Sequence, residues 1–89
     1  MALLFTNRTT NGTSAATDWH GGEGTFFAHG TFDGGTVVLE ASFDNGFTWI
    51  NVGPDATFPA PGAGNFRVGL CKLRASLSGA TSPDVTAGI

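Results

Sequence analysis

Thr36-Val37-Val38-Leu39-Glu40-Ala41-Ser42-Phe43-Asp44-Asn45-Gly46-Phe47-Thr48-Trp49-Ile50-Asn51-Val52 is the stretch that decides how the rest of this chain is read. Its first half alternates, with Val37, Leu39 and Ala41 on one face and Val38, Glu40 and Ser42 on the other. That is the period of a half-buried strand, and the β-branched residues suit a pleated surface. Asp44-Asn45-Gly46 breaks the run. Gly46 can take a positive φ, and Asp or Asn side chains can accept turn amides. Phe47 to Val52 is expected to return as the second strand of a β-hairpin.

The tip of that hairpin, Ser42-Phe43-Asp44-Asn45-Gly46-Phe47-Thr48-Trp49, resembles the Asp box, the Ser-x-Asp-x-Gly-x-Thr-Trp turn of sialidases and many other β proteins. The physical logic is local: the Asp carboxylate ties down turn amides, Gly supplies the unusual backbone angle, and Trp packs over the hairpin and fixes its register. The resemblance implies a structural role for Ser42, Asp44, Gly46 and Trp49, away from any catalytic centre. A sialidase would also need an arginine cluster and a tyrosine nucleophile. This chain has no Tyr and only Arg8, Arg67 and Arg74, so the activity does not come with the motif.

Working outward, 89 residues make one domain, 1–89, too short to bury more than about two-thirds of its unfolded surface. Fourteen Gly, eight Phe, two Trp and only 12% charged residues describe an all-β domain with many turns, not disorder. Seven acids against four bases give a net charge of −3, and no basic stripe interleaves with aromatics, so no nucleic-acid partner is expected. Cys71 is alone, which excludes an internal disulfide and a cysteine zinc cage; a buried thiol is expected. Met1 to Phe5 is too short for a signal-peptide core, and no apolar run approaches the ~18 residues of a membrane span. The sequons at Asn7 and Asn11 are therefore expected to stay unmodified, in a protein made and kept in a cytoplasm, or assembled there.

Before the hairpin, Ala2 to Thr6 is expected to form a first strand. Residues 7–24 are polar and rich in Gly and Thr, and read as a surface loop or arm. Trp19 and His20 lie within it and are the candidate partner contacts. Thr25 to Asp33 reads as a strand, with Phe26, Ala28 and Phe32 in one register, Phe27 and His29 in the other, and Gly30 marking a bulge. After the hairpin come a short strand at Ala56 to Phe58, a loop at Pro59 to Gly64, and a strand with Phe66, Val68 and Leu70 on one face. A further run puts Leu73, Ala75 and Leu77 on one face, and Val85 to Ile89 closes the chain as a strand. The sum is a small antiparallel β-sandwich or flattened barrel of seven to eight short strands.

Chemistry is sparse in this sequence. His20 and His29, with Asp18 and Glu23 nearby, match no standard metal spacing, so no metal site is assigned. Asp33, Asp44 and Asp55 each adjoin a turn residue, where Asp belongs for local reasons. Gly21-Gly22-Glu23-Gly24 is followed by no helix that could receive a phosphate. Neither a catalytic residue nor a cofactor is expected, and the chain reads as a non-enzyme.

Taken together, Gly21 to Phe26, Gly30 to Ser42, Asp44 to Trp49, Gly64-Asn65-Phe66 and Leu73 to Gly79 resemble small virion proteins of tailed bacteriophages. The resemblance spans residues 21 to 80. It implies a non-enzymatic structural component that decorates or cements the capsid, or else a neck, tail or fibre-base module. It also implies self-association, for instance as a trimer, contacts to a larger virion protein such as the major capsid protein, and assembly in a host cytoplasm. Residues 7–24 would then be an arm over neighbouring subunits. The alternative is a small carbohydrate-binding or host-recognition module with Trp19 at its site.

Overall fold

The two longest strands, Thr17–Thr31 and Gly62–Ser78, pair with each other from Thr17↔Leu73 to Ala28↔Gly62, and every other strand attaches to that ribbon directly or through one neighbour. The structure is a computed structural model and describes residues 3–89. In chain order the strands are β1 (Leu3–Arg8), β2 (Gly12–Thr13), β3 (Thr17–Thr31), β4 (Thr36–Ser42), β5 (Ile50–Asn51), β6 (Thr57–Phe58), β7 (Gly62–Ser78) and β8 (Asp84–Gly88). They form one antiparallel sheet in the order β1-β8-β3-β7-β4-β5, with β2 on β7 and β6 on β4. The sheet stays open, so the molecule is an all-β antiparallel sandwich and not a closed barrel.

β8 pairs with the C-terminal part of β3, from Phe27 to Thr31, whereas β4 pairs with the C-terminal part of β7, from Lys72 to Ser78. The two groups of strands therefore attach at opposite ends of the ribbon. Between them the inward-facing phase slips by one residue in both strands at the same level. On β3 the covered positions run Thr17, Trp19, Gly21 and then Gly24, Phe26, Ala28; on β7 they run Gly64, Phe66, Val68 and then Cys71, Leu73, Ala75, Leu77. Gly21 and Gly22 have φ of 94° and 102° at that level, a region where a Cβ is strained. The ribbon rolls over there, and both ends feed one core. Phe26, Leu39, Leu73, Leu77, Val37 and Val85 are its largest fully buried apolar side chains.

The accessible surface is 4675 Å². Size scaling gives about 4,900 Å² for a folded monomer of this mass. The chain is thus as compact as a folded domain of its mass.

Several expectations need correction. Residues 7–24 are not a free loop or arm. Asn7 and Arg8 end β1, β2 pairs with Leu77 and Ser76, and Thr17 to Gly24 are the first half of β3. Ser14 exchanges two bonds with Ala75, its N–H donating to the carbonyl at 2.8 Å and its Oγ accepting from the amide at 2.9 Å. The side chain of Asn11 does the same to Ala80. The segment lacks strand propensity, and its order comes from the ladder that β7 supplies.

Leu70 is not on the covered face with Phe66 and Val68, because the phase slip turns it outward. The returning arm of the hairpin is only Ile50–Asn51, since the turn occupies the residues before it. Gly62 to Gly64 belong to β7 and not to a loop. Gly30 marks no bulge, because register is continuous through Gly30↔Val85. Glycine is needed there for close approach, as a Cβ would lie 2.1 Å from the carbonyl oxygen of Asp84. The first strand runs from Leu3; Ala2, its expected start, lies outside the described residues.

Candidate functional site

The turn after β4 is assembled around one buried hydroxyl. Ser42 Oγ donates to Asp44 Oδ1 at 2.8 Å and accepts from the Gly46 N–H at 2.8 Å. Asp44 Oδ1 also accepts from the Thr48 N–H at 2.8 Å. Asn45 and Gly46 take consecutive positive φ values of 64° and 94°, as a tight hairpin turn requires. The side chain and amide of Thr48, followed by the Ser42 hydroxyl, hold the Asp44 carboxyl down at about 2. This is the Asp-box arrangement expected from the sequence: Ser42 Oγ, Asp44 Oδ1, the Gly46 and Thr48 amides and Trp49 Nε1 all bond within the turn.

Trp49 locks the turn to the sheet. Its Nε1 donates to the Gly46 carbonyl at 3.1 Å, and the Arg74 guanidinium stands 4.2 Å from its ring centroid. Arg74 Nε in turn donates to Glu40 Oε1 at 2.8 Å, in a half-buried ion pair. A cation over an indole face and a half-buried carboxylate partner fix the guanidinium from two sides.

On this rigid base stand apolar side chains that the fold does not cover. Phe47 is 87% exposed, Leu70 77%, Phe43 57% and Ile50 51%. Phe43 and Leu70 share the wall of an open hollow of about 450 Å³, which Ser42, Cys71 and Asn45 also line, with Asp18 and Lys72 on its rim. A second hollow, of about 210 Å³, lies between Phe43 and Ile50, with Ala41, Asp44 and Thr48 around it. The rim charges are joined, Lys72 Nζ to Asp18 Oδ1 at 2.8 Å. Burial pushes the Cys71 thiol up.

The two candidate contact residues part company. His20 is exposed and lies opposite Leu70 in the ladder, so it borders the apolar patch. Trp19 is half-buried against Phe66, at a centroid distance of 5.2 Å, and its indole Nε1 is buried without a partner. Gly24 makes room for it, since a Cβ there would lie 2.8 Å from Trp19 Cη2. Trp19 packs at the core edge, tilted 51° against Phe66 and stacked on His20 at a centroid distance of 5.2 Å.

Another hollow, of about 580 Å³, is bounded by Asn51, Gly53, Pro54 and Thr57. There the Asn51 side chain accepts the Gly53 N–H at 2.8 Å and braces the turn. No group of three or more His, Cys, Asp or Glu side chains stands together among the described residues. No helix among them is long and apolar enough to cross a membrane, a statement that leaves β-barrels aside.

Sequence reasoning missed Phe43, Phe47, Ile50 and Leu70. The signal was present in part. Phe43 and Phe47 occupy positions that the Asp-box pattern leaves free, which the turn points outward, and Leu70 falls where the apolar phase of its strand breaks.

No family model, curated protein or solved structure matches the chain.

Proposed function

We propose that this protein is a non-enzymatic virion structural component that decorates or cements a capsid, through self-association and contacts to a coat protein. The reading rests on the resemblance to tailed-phage virion proteins. The observation that carries it is the set of exposed apolar side chains, Phe43 and Phe47 on the hydrogen-bonded turn, Ile50 on β5 and Leu70 on β7. Apolar side chains exposed together on a small domain often mark the surface that a partner meets. A pre-ordered platform also loses little entropy on docking. The same logic serves a neck, tail or fibre-base position, where the partner differs and the physics does not. A carbohydrate-binding role on Trp19 is disfavoured, because its ring packs on Phe66.

The test is co-sedimentation of the purified protein with particles assembled without it. Saturable binding with a fixed copy number per particle is expected. No binding to heads or to tails would overturn the proposal.

A further inference from the structure

Residues 9–16, which join β1 to β3, lie along β7 without burying a single side chain; only Gly12 and Ser14 are half-buried. Hydrogen bonds hold the segment in place. β2 pairs Gly12 with Leu77 and Thr13 with Ser76, Ser14 exchanges two bonds with Ala75, and Asn11 exchanges two with Ala80. Its two ends are fixed by other means. Phe5 of β1 is buried in the core, and Thr17 enters the β3–β7 ladder opposite Leu73. We infer that residues 9–16 form a latch over one edge of β7, which opens as a unit while the rest of the chain stays folded, and that the closed latch keeps this edge from pairing with a second copy.

The energetics separate the latch from its surroundings. Regions with few buried apolar contacts open at a lower free energy than the core does. Lifting the latch exchanges its hydrogen bonds for bonds to water, a small net loss for each. No buried apolar side chain of its own is lost with them. Both ends stay anchored, so the opened segment remains a short loop.

What lies beneath explains the cover. On its other side β7 is bonded to β4, from Leu39↔Ala75 to Thr36↔Ser78, so lifting the latch makes β7 an edge strand at that level. The uncovered run is Ala75-Ser76-Leu77-Ser78-Gly79-Ala80, without a charge or a proline. Those are the residues with which sheet edges ordinarily refuse partners. The outer strands of the sheet are protected in other recognised ways: β5 is two residues long, and β1 shifts register twice along β8. The run at 75–80 has neither device and has the latch instead. With no charge in it, antiparallel pairing of the same edge from two copies across a two-fold axis sets no like charges opposite each other.

Amide hydrogen exchange of the full chain reads the latch directly, because the N–H groups of Ser14, Ala75 and Ala80 all donate into the contact. The three are expected to share one opening equilibrium, nearly insensitive to low denaturant, and to exchange about tenfold or more faster than the slowest amides of β3 and β4. Asn11→Ala should speed exchange at Ser14 and Ala75, whose own bonds it leaves intact, by about tenfold, as loss of two hydrogen bonds does. The double variant Asn11→Ala/Ser14→Ala, with unchanged far-ultraviolet circular dichroism, should sediment with a larger and more concentration-dependent mass than the parent chain.

Exchange of the three amides only through global unfolding would overturn the inference, and that measurement needs no variant. So would exchange at Ser14 and Ala75 indifferent to Asn11→Ala, or a double variant that opens faster and keeps the parent's mass. Each result is independent of whether the chain binds particles in co-sedimentation.

Discussion

The Asp-box turn and the strand Thr17–Thr31 are both well ordered, and they are ordered by opposite means. In the turn, Ser42, Asp44, Gly46, Thr48 and Trp49 bond to one another over a span of a few residues. In β3, order arrives from β7 on one side and β8 on the other, tens of residues away in sequence. A locally closed unit announces itself in sequence, because its spelling is its bond list. A strand recruited by distant partners can be spelled almost anyhow, provided its outer face tolerates water and its glycines sit where another backbone comes close.

The contrast can be broken by substitution, and the largest effect belongs to the distant contact. Gly30→Ala places a methyl group against the Asp84 carbonyl at a φ of 114°. It should cost about 3 kcal/mol or more, since the obstacle is backbone that cannot rotate away. Thermal denaturation monitored by circular dichroism measures it, and a loss under about 1 kcal/mol would show that β8 yields easily. Ser42→Ala comes next. It leaves the Gly46 N–H without its acceptor and removes one of the bonds to the Asp44 carboxylate, for about 2 kcal/mol in chemical denaturation.

Gly46→Ala should cost about 1 kcal/mol, because the site has open space and only the positive φ of 94° resists a Cβ. If Gly46→Ala proved costlier than Gly30→Ala, the ranking of local against distant order would be reversed.

The smallest effect is a pH dependence. The bonds from Thr48 and Ser42 hold the Asp44 carboxyl at about 2 in the folded protein, below its ordinary value of 3.8. The unfolded chain therefore binds the proton more readily. The stabilisation from Asp44 is present in full above pH 3.8 and is lost as pH falls through about 2. Denaturation midpoints measured across that window should fall less steeply in Asp44→Asn than in the parent protein. Equal slopes would place the acid sensitivity in another carboxylate.

The fold class, the central hairpin and the roles of Ser42, Asp44, Gly46 and Trp49 were legible because periodicity and turn chemistry are local. The buried register of Phe26, Ala28 and Phe32 was legible for the same reason. Thr17 to Gly24 misled because three of its eight residues are glycine, and in isolation that composition reads as loop. In the sheet those glycines mark the level at which the ribbon rolls over. Leu70 was assigned to the wrong face for a related reason. Its alternation with Phe66 and Val68 is regular, and the slip shows only when Cys71 and Leu73 are set beside it. The candidate surface was the least legible part, since nothing in a Phe at a free motif position states whether it will be covered.

The Asp-box bonding has a further consequence, for how the protein ages. Asn-Gly is the dipeptide most prone to spontaneous deamidation, in which the glycine nitrogen attacks the asparagine side-chain carbonyl, ammonia leaves, and the resulting succinimide hydrolyses to aspartate or isoaspartate. The chain has two such pairs, Asn11-Gly12 and Asn45-Gly46. At the second, the attacking nitrogen is turned toward Ser42 Oγ and hydrogen-bonded there. At the first, the asparagine amide is clamped on both sides by the backbone of Ala80. The bonds that shape the turn and anchor the N-terminal segment thus also oppose deamidation at both pairs.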